Sequence, residues 1–79
     1  MEWRPYIISN AEIQTGKPVI KGTRLTVEFI LGLFSKGWTQ EQVLANYPQL
    51  TRDAINAVFA FAIESLHDES IYFLKQDVV

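Results

Sequence analysis

Thr51, Arg52 and Asn56 are the residues of this sequence best suited to reading a nucleic acid. An arginine fork matches the two acceptors on a guanine edge, and an asparagine amide matches the donor and acceptor of adenine. Upstream, Thr39 and Gln40 stand at a second helix start, where free N–H groups can hold a phosphate. The alternative for Arg52 and Asn56 is a solvated helix face. Other chemistry is sparse. Glu41, Asp53, Glu64, Asp68 and Glu69 have no neighbouring histidine or second acid at catalytic spacing. His67, the single histidine, reads as a helix-end cation favoured by the dipole. No nucleophile, base and oxyanion site assembles, so no enzyme activity is expected. Trp3, Trp38, Tyr47 and Phe61 can form a stacking surface, but core packing or a protein interface is the simpler reading.

Positioning these groups requires three helices. The first is expected to start at Thr26, whose hydroxyl caps the first turn, with Glu28 at the positive end of the dipole. Val27, Ile30, Leu31 and Phe34 follow helical spacing, with Phe29 and Leu33 widening the stripe, and Gly37 after Lys36 is a stop. Thr39-Gln40-Glu41-Gln42 matches a capping box, with Trp38 as a staple partner for Val43. That second helix is short, because Asn46-Tyr47-Pro48 ends it. The third begins at Thr51 and carries Ile55, Val58, Phe59, Ala62, Ile63 and Leu66 as its apolar stripe, with Phe61 off it. A short capped helix, a tight turn and a longer capped helix make a helix-turn-helix unit, whose second helix enters the major groove.

Before these helices, Tyr6-Ile7-Ile8 and Val19-Ile20 are β-prone, with turn signals at Gly16-Lys17-Pro18 and Lys21-Gly22-Thr23-Arg24. The fold class is therefore mainly α: a three-helix helix-turn-helix with a short N-terminal β-hairpin or β element. The expected organisation is a β and turn element over residues 1–25, a helical core over 26–66 and a partner-binding tail over 67–79, within one domain.

Seventy-nine residues bury only a modest core, so a homodimer or another partner is expected to help stability. The sequence has no cysteine, which excludes disulfides and thiolate metal sites. A lone histidine argues against structural zinc. No cofactor, metal or small-molecule substrate is expected, and no apolar run approaches a bilayer span of roughly 20 residues. Small secreted domains usually need disulfides, so a cytoplasmic location is expected. The formal charge of -2 is unevenly spread. Residues 15–36 hold Lys17, Lys21, Arg24 and Lys36 against Glu28, a net of +3. Residues 64–79 hold Glu64, Asp68, Glu69 and Asp77 against Lys75, a net of -3. This split suits a basic face beside an acidic tail.

The string Gly16-Lys17-Pro18-Val19-Ile20-Lys21-Gly22-Thr23-Arg24-Leu25-Thr26-Val27 is long and unusual. With Gly37-Trp38 and Asn46-Tyr47-Pro48-Gln49-Leu50-Thr51, it closely resembles the domain of unknown function 433 family. Members of that family look like antitoxins of the VapB kind. The resemblance runs roughly from Ile8 to Glu64. It implies a homeodomain-like fold, pairing with a PIN-like nuclease toxin, neutralisation of that toxin and repression of the shared operon. Within the string, Gly22 permits a turn, and Lys21 and Arg24 stand ready to grip phosphates or a partner's carboxylates. The alternative is that Thr23 and Arg24 simply close the turn.

The leading expectation is a type II antitoxin. Its operator DNA is contacted by Thr51, Arg52 and Asn56, with Lys21, Arg24, Thr39 and Gln40 in support. Its toxin is covered by the tail around Ile71, Tyr72, Phe73 and Leu74, with Phe61 as a second apolar contact. The runner-up is a protein-interaction module or regulator with no toxin partner.

Overall fold

A computed structural model of the chain describes residues 1–68. Two strands, β1 (Ile7–Ile8) and β2 (Val19–Ile20), form an antiparallel pair in which Ile7 faces Ile20 and Ile8 faces Val19. Three helices follow: α1 (Val27–Ser35), α2 (Gln40–Asn46) and α3 (Arg52–Asp68). The architecture is the mainly helical helix-turn-helix with an N-terminal hairpin that the sequence predicts. So small a hairpin is marginal alone. Here β1 packs on α3, and Ile7, Val19 and Ile20 are buried.

Each helix boundary has a local cause. The Thr26 hydroxyl accepts from the Phe29 N–H at 2.9 Å and starts α1. At its other end the Gly37 N–H donates to the Phe34 carbonyl and the Trp38 N–H to the Leu33 carbonyl. This Schellman pair needs a left-handed residue, and Gly37 supplies it at φ 93°. For α2 both halves of the capping box form: the Gln42 N–H donates to the Thr39 hydroxyl at 3.1 Å, and the Thr39 N–H to the Gln42 side-chain oxygen at 2.8 Å. Pro48 lies just past the C-cap, Tyr47. The Leu50 N–H then donates back to the Tyr47 carbonyl at 2.9 Å, closing the turn into α3.

The core gathers Ile30 of α1, Val43 of α2 and Ile55 and Val58 of α3, all fully buried, with Leu50 of the turn beside them. Burying each such side chain stabilises the fold by about 1.5–3 kcal/mol. Trp38 packs against this cluster, as a staple residue should.

The third helix departs from expectation. Its buried face is Ala54, Ile55, Ala57 and Val58, confined to the first two turns. Phe59, Ile63 and Leu66, expected in the core stripe, are 38%, 59% and 53% exposed. Helical spacing marks an apolar stripe, but the bodies of α1 and α2 reach only the N-terminal half of this helix. Phe29 departs likewise, at 41% exposed. Conversely Phe61, expected to meet a partner, is half-buried and meets Trp3 edge-on, with ring centroids 4.8 Å apart. The N-terminal arm, which sequence reasoning left unplaced, fills that side of α3. It is further tied there by an ion pair between Arg4 and Glu64 at 3.1 Å.

Candidate nucleic-acid interface

Thr51, Arg52 and Asn56 are all exposed on the first turns of α3. The Thr51 hydroxyl accepts from the Ala54 N–H at 3.1 Å, so its oxygen serves as the helix cap. Arg52 is less free. Its Nη1 donates to Gln40 Oε1 at 2.6 Å, and its Nη2 lies 3.7 Å from Glu41 Oε2. The structure thus brings together Gln40 and Arg52 across the two helix starts, with Thr39 just ahead of Gln40. The cost is an acid, Glu41, beside the arginine, and Asp53 follows it in the same turn. The start of α3 therefore carries exposed polar side chains with no excess of positive charge.

Lys21 and Arg24 lie elsewhere, on the turn after β2 and its exit. Gly22 sits there at φ 82° with no atom within 4 Å of a Cβ built on it, so backbone conformation rather than space calls for glycine. Thr23 closes the turn: its hydroxyl donates to the Ile20 carbonyl at 2.8 Å and accepts from the Leu25 N–H at 3.0 Å. Arg24 does not share that task. Its carbonyl accepts from Gln14 Nε2 at 3.0 Å, while its guanidinium is exposed and makes no ion pair among the described residues.

Arg24 borders a hollow that sequence reasoning missed. Gln14, Lys17, Arg24, Leu25, Thr26 and Phe29 line it. The single sequence signal for it is the net positive charge of residues 15–36, since Phe29 falls at the edge of the apolar stripe of α1. The inner edge of the hollow meets the helix-turn-helix, because the Phe29 and Tyr47 rings contact edge-to-face with centroids 5.6 Å apart.

A second surface is apolar. Phe59, Ile63 and Leu66 recur at helical spacing along the outer half of α3, with Phe34 packed on Phe59 at 5.0 Å between centroids. The expected partner contacts Ile71, Tyr72, Phe73 and Leu74 lie outside the described residues. Among those residues there is no cluster of three potential metal ligands, and no helix is long and apolar enough to cross a membrane.

A hairpin packed on three helices, with a capped short helix turning into an exposed longer one, defines a small helix-turn-helix protein. The family model described as "Protein of unknown function (DUF433)" matches residues 7–62, most of the chain, and the chain belongs to that family. No curated protein and no solved structure matches it.

Proposed function

We propose that this protein is the antitoxin of a type II toxin–antitoxin pair, acting in the cytoplasm as a homodimer. In this reading it binds and neutralises a PIN-like nuclease toxin and represses its own operon through the helix-turn-helix. The observation that supports it most is the division of α3. Its first two turns display Arg52 and Asn56 on one face while burying Ala54, Ile55, Ala57 and Val58 on another, and its outer half displays Phe59, Ile63 and Leu66. One rod thus offers a polar end suited to a groove and an apolar end suited to a protein. These residues and the tail around Ile71, Tyr72, Phe73 and Leu74 together supply the buried anchor, with the tail needed for protection, and the acidic residues near them keep that end away from DNA.

Co-expression with the nuclease of the neighbouring gene tests this directly. The full chain should restore growth and co-purify with the nuclease. A chain truncated after Leu66 should still bind operator DNA but no longer protect. Protection by the truncated chain would refute the assignment of the tail.

One observation favours a second reading, a protein-interaction module without a DNA role. Glu41 and Asp53 flank Arg52, so the face offered to DNA has no net attraction for phosphate. Anisotropy at low salt separates the two. A chain that binds no fragment of its own promoter at any salt is the module.

A further inference from the structure

The hollow beside the turn has a volume of about 300 Å³ and three kinds of lining. Lys17 and Arg24 supply two exposed cations, Gln14 an amide, and Leu25 and Phe29 an apolar wall. Its frame is rigid. Thr26 bridges to Val19, the Val27 N–H donates to the Pro18 carbonyl at 3.0 Å, and Gln14 ties its loop to the Arg24 backbone. Lys17 pairs with Glu28 at 3.5 Å in solvent, and the positive end of α1 adds to the field of Lys17 and Arg24.

The lining selects the ligand. A free inorganic anion would use the cations and leave the exposed Phe29 ring idle. A sugar-phosphate backbone uses both, with the phosphate on Lys17 and Arg24 and the deoxyribose against the ring. Position points the same way. Phe29 touches Tyr47, which opens the turn whose far end presents Thr51 and Arg52. On a duplex the backbone flanks the groove that a recognition helix occupies. The hollow also supplies what the start of α3 lacks, since Arg52 is occupied by Gln40 and Glu41 while Arg24 makes no ion pair among the described residues.

We propose that this hollow is a seat for a backbone phosphate and its sugar on the DNA strand flanking α3, with Lys17, Arg24 and Phe29 as its contacts. The proposal rests on the DNA-binding part of the function proposed above. It assigns affinity to the hollow and sequence choice to Arg52 and Asn56.

The test is fluorescence anisotropy of the full chain with two labelled duplexes, one from the region upstream of its gene and one scrambled. Each is titrated from about 50 to 200 mM salt, the range over which phosphate contacts are lost steeply. The double variant Lys17→Ala, Arg24→Ala removes one phosphate contact and should flatten the dependence of log affinity on log salt by about 1 on both duplexes. Across that range the wild type then weakens about fourfold more than the variant. Phe29→Leu should weaken binding with the salt dependence unchanged. Lys36→Ala, at the other end of α1, controls for the removal of charge alone and should leave the slope as it was. Arg52→Ala should alter the preference between the duplexes. A double variant with the wild-type slope overturns the seat while leaving DNA binding standing. Failure of the wild type to bind either duplex overturns both. Loss of nuclease capture with duplex binding intact would give the hollow to a protein partner and also overturn the proposal.

Discussion

Arg52 of α3 and Gln40 of α2 are joined by a hydrogen bond of 2.6 Å, so the first turns of the two helices of the helix-turn-helix are tied side chain to side chain. Glu41 stands on the same arginine at 3.7 Å, in solvent. An exposed ion pair of this kind stabilises the fold by at most about 1 kcal/mol. Its consequence is electrostatic. Glu41→Gln removes a negative charge beside a candidate DNA contact and leaves the Gln40 tether in place. We expect a few-fold gain in low-salt affinity for duplex DNA and a change in midpoint of urea unfolding too small to matter. Anisotropy and equilibrium denaturation check the two halves.

Gly22 holds a left-handed conformation in open space. Gly22→Ala should therefore cost about 1–2 kcal/mol through the backbone alone. Gly22→Asn should recover part of that loss, because asparagine tolerates this region better. Urea midpoints of the three proteins order them.

The reciprocal hydrogen bonds of Thr39 and Gln42 predict a coupling. Thr39→Ala should destabilise by about 1 kcal/mol. The double variant with Gln42→Ala should lose less than the two single losses together, since each bond is half of one box. A double-mutant cycle in urea measures the difference.

Ile55 and Ile63 test the asymmetry of α3. Ile55→Ala empties a fully buried site and should cost about 2–5 kcal/mol. Ile63→Ala, at a largely exposed position, should shift stability by no more than about 0.5 kcal/mol. On the function proposed above, Ile63→Ala instead weakens the complex with the nuclease, as calorimetric titration would read.

The arm holds one pH-sensitive contact. The Arg4 backbone N–H, with further help from the Arg4 guanidinium, holds the Glu2 carboxyl below its usual range. A folded pKa lower than the unfolded one means a contribution present above the ordinary glutamate value. It is lost as the pH falls through the lowered one. An NMR titration of the Glu2 carboxyl should show the depressed midpoint. Arg4→Ala should move it part of the way back, because the backbone N–H remains.

Strand positions, the capped helix starts and the turn at Tyr47-Pro48 were legible in the sequence. The Phe61–Trp3 contact and the hollow around Phe29 were not. Trp3 lies far along the chain from Phe61, and no spacing rule connects them. Phe29 sits at a position that periodicity counts as core. Lys17 and Arg24 read as loop cations until the hairpin and the start of α1 place them around one hollow.

By itself the sequence determined where each helix starts and stops, because a cap is made by residues within about four positions of one another. It also determined that α3 has an apolar stripe. Only the tertiary structure decided which part of that stripe is covered, that Arg52 is held by Gln40, and that Arg24, without an ion pair among the described residues, shares a hollow with an aromatic ring. Those outcomes depend on which elements lie alongside, and burial or pairing across the fold is a property of neighbours that local chain chemistry does not encode.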